Sequence, residues 1–478
     1  MNPNKQAEKQ MAAQTAEKTR KKLPFADLFK GKAEVDMTEG NIFRHIIAFA
    51  LPLMVGNLFQ QLYNTVDTWV VGNYVGDAAY SAVGTVGPVV NMLIGFFTGL
   101  TNGAGVVISQ YFGAGQTDKV RKTVHTSVVM TLILGVIFTV LGIFMTPFMV
   151  GWMGAVDEVA AEQNVYLTIY FAGIMGLMIY NMGSAILRAV GNSTLPFFFL
   201  VVSALINIVL DLVFVLSFGM GVDGVAYATI IAQGISAVLV IVVLFKSKSM
   251  ISLRISEMKM HTDQLLRIIR VGFPAAIQMA ITAFSNVFVQ NYINHFGKFA
   301  MGGWTTYSKV DQLIFLPMQS VALAVTTFVG QNLGKGLGGR SKKGVRISLL
   351  VSGIFTVVLC LPVIVFAPQI VQFFIKDSPE TVVYGTILLR YLSPFYVLCC
   401  INQIYAGALR GAGNSTAPMI IMVSSFVVFR QIYLYVLTNF ITNTFIPVAL
   451  SYPAGWLVCS ALTLLYYRKV RLEDHTVL

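Results

Sequence analysis

Polar positions are rare along most of this chain. Where they thin out they do so in windows of about 20 residues or more, the length a helix needs to cross the hydrocarbon of a bilayer. Such windows run near 46–70, 80–110, 124–148, 163–187, 195–216 and 225–245. A second set runs near 268–293, 301–330, 345–368, 383–409, 417–440 and 446–467. The pattern predicts an all-α integral membrane protein with twelve transmembrane helices. It divides the chain into a polar tail (1–40), an N-lobe of six spans (41–246), a basic linker (247–267), a C-lobe of six spans (268–468) and a short tail (469–478). A short turn is expected near Phe25 to Phe29 in the first tail, which lacks the apolar core of a signal peptide.

The two halves repeat. Leu187-Arg-Ala-Val-Gly-Asn-Ser-Thr-Leu-Pro196 returns as Leu409-Arg-Gly-Ala-Gly-Asn-Ser-Thr-Ala-Pro418, 222 residues on, and Pro52 maps to Pro274 at the same offset. Gln110-Tyr-Phe-Gly-Ala-Gly115 maps to Gln331-Asn-Leu-Gly-Lys-Gly336, 221 residues on. An even number of spans per copy inserts both copies the same way up, giving parallel repeats about an axis along the membrane normal, as in alternating-access transporters. Pro52, Pro88, Pro274, Pro317 and Pro394 fall within spans, where each removes a backbone hydrogen bond; Pro52 and Pro274 are the paired hinge candidates.

Composition agrees with membrane insertion and charge orients it. The 478 residues are 56% hydrophobic and 11% charged, with a mean hydropathy of +0.73. A soluble protein carries roughly 25% charged residues. The net charge of +12 would suggest nucleic acid in a soluble protein, but 28 of the 33 Lys and Arg fall in segments on the side of the termini. The positive-inside rule makes that side cytoplasmic, with Lys298 and Lys376 in outer loops. Cys360, Cys399, Cys400 and Cys459 lie in spans without metal or disulfide spacing. The glycine-containing stretches 113–119 and 334–336 match no nucleotide fingerprint and read as helix ends with tight turns. No cofactor is implied, so transport would be driven by an ion gradient. The two Asn-Ser-Thr triplets face the inner side, and Arg188 and Arg410 read as anchors of inner helix ends.

Acids inside the spans are Asp67, Asp211 and Asp311. A carboxylate in a bilayer costs about 2.5–3.5 kcal/mol, and Leu or Val would fill the space more favourably. Asn207 and Asp211 lie four residues apart and share a helix face, as do Tyr63, Asn64 and Asp67. The topology puts Asp67 and Asp211 at similar depth in the outer half of the membrane, level with Tyr166 and Thr229. Two carboxyls, an amide and a hydroxyl suit Na⁺ or a shared proton. The competing reading pairs each acid with Lys or Arg. No base lies in the first six spans, which weighs against it there. In the second half Lys309, Arg390 and Arg430 make a salt bridge to Asp311 an equal alternative. Gln278, Asn286, Asp311 and Arg430 are the candidate lining of a C-lobe cavity.

Taken together and in order, Leu51-Pro52 with Asp67, Gln110 to Gly115, the duplicated Leu-Arg-x-x-Gly-Asn-Ser-Thr, Asn207-xxx-Asp211, Gly224-Val-Ala-Tyr-Ala-Thr229 and Gln331-Asn-Leu-Gly334 resemble the MATE (multidrug and toxic compound extrusion) family across residues 41–468. The resemblance implies a two-lobed antiporter of the cell membrane that exchanges H⁺ or Na⁺ for organic cations or lipophilic drugs. It also implies a cation-coupling site at Asp67, Asn207, Asp211 and Thr229, with Asn64, Tyr166 and Asn181 as supporting polar positions. Asn181 lies deeper than the others on this topology. The C-lobe carboxylates that another branch uses in spans seven and ten are missing. A monomer handling a small organic substrate within membrane lipid is expected. A flippase for lipids or lipid-linked saccharides, which shares the two-lobe architecture, is the alternative that Lys309, Arg390 and Arg430 keep open. The five histidines form no cluster, so a membrane-embedded enzyme is unsupported.

Overall fold

The computed structural model describes residues 34–153, 156–375 and 378–478. The turn expected near Phe25 and most of the first tail lie outside the described residues, as do Lys376 and the side chains of Asp77, Pro88, Val89 and Val287. Among the described residues twelve helices are long and apolar enough to span a membrane: α1 (Ile42–Val75), α2 (Ala78–Gly113), α3 (Thr117–Met153), α4 (Asp157–Ala189), α5 (Thr194–Ser217) and α6 (Val222–Lys246), then α7 (Thr262–Asn294), α8 (Lys298–Gly334), α9 (Gly338–Val365), α10 (Pro379–Ala412), α11 (Thr416–Ile441) and α12 (Phe445–Lys469). They run past the apolar windows at most ends because helical backbone satisfies its own polar groups whether or not lipid surrounds it.

In the N-lobe α1 packs on α5, α5 on α6, and α4 against α2, α3 and α6. The C-lobe repeats the scheme, with α7 on α11 and α8 against α9 and α10. The lobes meet along a seam formed by α1 and α2 of one and α7 and α8 of the other. Partway along it, Gln61 of α1 donates to Gln312 of α8 at 2.9 Å.

The seam is tightest at the end where the segment ahead of α1 and the C-terminal tail pack, here called the terminal end. A Cβ on Gly113 would lie 1.9 Å from the carbonyl oxygen of Gln331, and one on Gly334 would lie 2.0 Å from that of Gln110. Glycine is what lets α2 and α8 touch there. The two glutamines, equivalent in the repeat, then lock the lobes. Gln110 donates to the Gly411 carbonyl of α10 and accepts from the Val477 N–H of the C-terminal tail. Gln331 donates to the Ala189 carbonyl of α4 and accepts from the Met37 N–H ahead of α1.

Each glutamine thus reaches a helix end in the opposite lobe and fixes one terminal segment. The segment before α1 also donates from Val35 N–H to Val190 and is held by Lys335 and Arg340. Burial alone would raise the Asp36 carboxyl, but bonds from the Thr38 hydroxyl and N–H, with Lys335 nearby, hold it below its ordinary range. That anchor is complete at neutral pH and is lost as pH falls through the lowered value.

Removing the Gln331 carboxamide would orphan the Met37 N–H and the Ala189 carbonyl, at about 1–3 kcal/mol for each buried group. Gln331→Ala should therefore loosen the terminal end. A cysteine placed at buried Ser109 should react faster with a water-soluble maleimide in that variant than beside Gln331, and the four native cysteines, all buried, add little background. Equal rates would show that the glutamine does not hold the lobes together.

Candidate cation site

Asp67 sits near the far end of α1 and Asp211 near the far end of α5. Because these helices pack along their length, the two side chains meet. Both residues are buried, and their carboxyl groups lie within hydrogen-bonding reach of each other. Two carboxylates are both acceptors, so this contact has no donor unless a proton or cation supplies the positive charge. Neither oxygen of Asp211 nor Oδ1 of Asp67 meets a donor. Among the described residues the ion pairs involve neither acid.

Just beyond each acid the helix widens. α1 ends in a π-helical turn at Val71–Val75 and α5 in one at Val213–Ser217. Turns of this kind recur at functional sites. Nothing in the sequence pattern announced them.

The other expected residues divide. Asn207 is buried one helical turn from Asp211, and both its carboxamide atoms are buried without a partner. Tyr166 lies close enough to feel both acids and stacks on Tyr170 at 6.2 Å. Thr229 is buried on α6 and donates its hydroxyl proton to the Val225 carbonyl of its own helix at 3.0 Å, which leaves its oxygen lone pairs available. Asn181 likewise donates to Leu177 in its own helix at 2.9 Å. Asn64, three residues before Asp67 on α1, is exposed. Tyr63, four residues before Asp67, lies near both acids. Sequence reading missed Tyr170 and Gln233, which lie close together beside Tyr63, with Gln233 Oε1 buried and without a partner. The spacings Tyr166-xxx-Tyr170 and Thr229-xxx-Gln233 were the available signal.

Among the described residues no salt bridge to Asp311 forms. Asp311 Oδ1 accepts from the hydroxyls of Tyr307 and Tyr396. Lys309 lies over the Phe374 ring, and Arg390 Nε donates to the Ile364 carbonyl at 3.4 Å. The buried Arg430 donates to Ser285 Oγ at 3.0 Å and Asn286 Oδ1 at 2.8 Å and packs over Tyr452. Tyrosine hydroxyls satisfy Asp311 without the cost of desolvating a guanidinium beside it. Gln278 is buried elsewhere, donating to Met422 Sδ and accepting from Arg410. The four C-lobe candidates are therefore no single cluster, although Asn286 and Arg430 are joined. Their junction falls between α7 and α11, the counterpart of the α1–α5 junction that holds the acids. The repeats put opposite charge in equivalent crevices.

The MatE family profile matches residues 52–213 and 274–436, one copy in each lobe. The chain is 27% identical over 433 residues to the probable multidrug resistance protein YpnP of Bacillus subtilis, covering 91% of this chain and 96% of that one. It is 28% identical over 441 residues to the probable multidrug resistance protein NorM of Thermotoga maritima, covering 91% and 94%. It is 22% identical over 435 residues to the multidrug export protein MepA of Staphylococcus aureus, covering 91% and 96%. A solved structure of a multidrug resistance MATE family transporter in an outward-facing conformation superposes with a TM-score of 0.86 at 23% identity, over 92% of this chain and 98% of the other. A MOP superfamily transporter from Pyrococcus furiosus superposes equally well, with the same score, identity and coverage. The twelve helices, their duplication and the matched profile make this chain a multi-pass membrane protein of the MATE family of transporters.

Proposed function

We propose that the protein is an antiporter of the cell membrane that exports organic cations or lipophilic drugs in exchange for H⁺ or Na⁺. The observation that carries this reading is the contact between Asp67 and Asp211, two buried acceptors with no donor and no basic partner among the described residues. Such a pair needs a positive charge from outside the protein, and Asn207 offers its free carboxamide oxygen beside it. Export of drugs follows the names of the relatives, which are multidrug resistance and export proteins.

Loading the pair with H⁺ or Na⁺ removes the repulsion between α1 and α5 and lets them close on each other. Emptying it drives them apart. Because α1 also lines the seam with α8, that change reaches the lobe interface and can shift which end is open. With the termini in the cytoplasm, as the basic loops indicate, the locked terminal end gives a state closed to the cell interior. The flippase alternative loses support, since Lys309, Arg390 and Arg430 are all engaged within the C-lobe rather than offered together to a phosphate.

Asp211→Asn should abolish gradient-driven efflux from reconstituted vesicles while leaving expression and helix content unchanged. Normal coupled efflux by this variant would remove the proposed engine. Asp211→Leu should be equally inactive yet melt no lower in detergent than the parent, because an apolar side chain of similar size replaces a buried carboxyl that has no donor. A marked fall in melting temperature would instead make Asp211 a structural residue. Efflux at fixed pH, with Na⁺ present or replaced by choline, separates the ions: Na⁺ coupling requires loss in choline, and H⁺ coupling requires none.

A further inference from the structure

At the terminal end, the first turns of α7, the turn between α10 and α11 and the C-terminal tail enclose a cavity of about 560 Å³. Its polar side chains include Arg267, Arg270, Asn414, Asp474, His475 and Thr476. Arg267 and Arg270 are neighbours on one side of α7. Among the described residues neither enters an ion pair. Asp474, the acid of the lining, is exposed and forms no ion pair with them. Leu266, Ile269 and Phe273 flank Arg270 on the same helix and are exposed, forming an apolar stripe that runs from the cavity along the span.

Two unpaired guanidinium groups where a span meets water, with bare apolar surface leading away along the helix, match a molecule that carries both a phosphate and fatty chains. Guanidinium groups bind phosphate oxygens through parallel N–H bonds, and basic pockets between membrane helices take anionic headgroups. We propose that this cavity binds the phosphate of an anionic phospholipid, with its chains along Leu266, Ile269 and Phe273. The cavity's other wall is the tail whose Val477 N–H caps Gln110 at 2.8 Å. A lipid held by α7 on one side and by the tail on the other keeps the tail in place, and with it the lock across the lobes. That the lipid comes from the cytoplasmic leaflet rests on the topology proposed above; the binding itself does not.

The test uses the full chain in nanodiscs of phosphatidylcholine, with or without phosphatidylglycerol, and reads hydrogen exchange at the amides of residues 472–478. Phosphatidylglycerol should slow exchange in the parent protein, and Arg267→Gln/Arg270→Gln should lose that slowing, by roughly fivefold per arginine. Arg267→Lys/Arg270→Lys should keep part of it, and unchanged exchange in the helices away from the tail controls for folding. Equal exchange in the two lipids, or an undiminished effect in the glutamine variant, would overturn the site. Inorganic phosphate added to phosphatidylcholine discs is the other arm: slowing by phosphate alone would assign the arginines to a free anion and overturn the lipid. No transport is measured, so failure here is separate from failure of the antiport reading.

Discussion

Two acceptors pressed together in a dry place need a positive charge between them. Asp67 and Asp211 meet under that constraint, with no donor at Asp211 and no base at hand. Packed leucines would give α1 and α5 a cheaper junction, since burying an unpartnered polar group costs stability whatever it does afterwards. In the antiport reading proposed above, the α1–α5 distance depends on what occupies the acids. The π-helical turns that follow both acids loosen the regular ladder where such a change would be absorbed.

The repeat turns one architecture into two different halves. Where the N-lobe has its acid pair between α1 and α5, the C-lobe has Arg430 between α7 and α11, tied to Ser285 and Asn286 and packed over Tyr452. A junction with its positive charge built in and hydrogen-bonded has no need of a cation from outside. In the antiport reading proposed above, the N-lobe junction is the one that responds to a cation, although α11 of the C-lobe also carries π-helical turns, at Ser424–Phe429 and Leu437–Ile441. At the terminal end the repeat is kept faithfully. Gln110 and Gln331 make matching bonds, each to the opposite lobe and to one terminal segment, over glycines that admit no side chain.

Much of this was legible in the sequence because membrane helices announce themselves. Long apolar windows gave the spans, and the duplicated Leu-Arg-x-x-Gly-Asn-Ser-Thr stretch gave the repeat. The cost of an acid in hydrocarbon drew attention to Asp67 and Asp211. Facing was harder. Asn64 and Tyr63 are adjacent and both polar, and one sequence does not say which turns toward Asp67. Thr229 and Asn181 each donate to the backbone of their own helix, as threonine and asparagine do readily, and each keeps an oxygen free. For Asp311 the sequence offers Lys309, Arg390 and Arg430 as salt-bridge partners, with Lys309 two residues away. Partners at that spacing point to different sides of a helix, and it was the hydroxyls of Tyr307 and Tyr396 that reached it. The terminal lock had a trace in the sequence, the equivalence of Gln110 and Gln331, but its partners come from turns and tails whose paths no periodicity encodes.

The central claim is that Asp67 and Asp211 behave as one site that takes up positive charge. Infrared difference spectra of the purified protein, recorded between low and high pH and with Na⁺ added at fixed pH, test it directly. The account predicts a protonated-carboxyl band that vanishes when the pair loses its proton or accepts Na⁺, and that is altered by Asp67→Asn and by Asp211→Asn alike. A band removed by only one substitution and indifferent to the other, or none from either residue, would contradict a shared site.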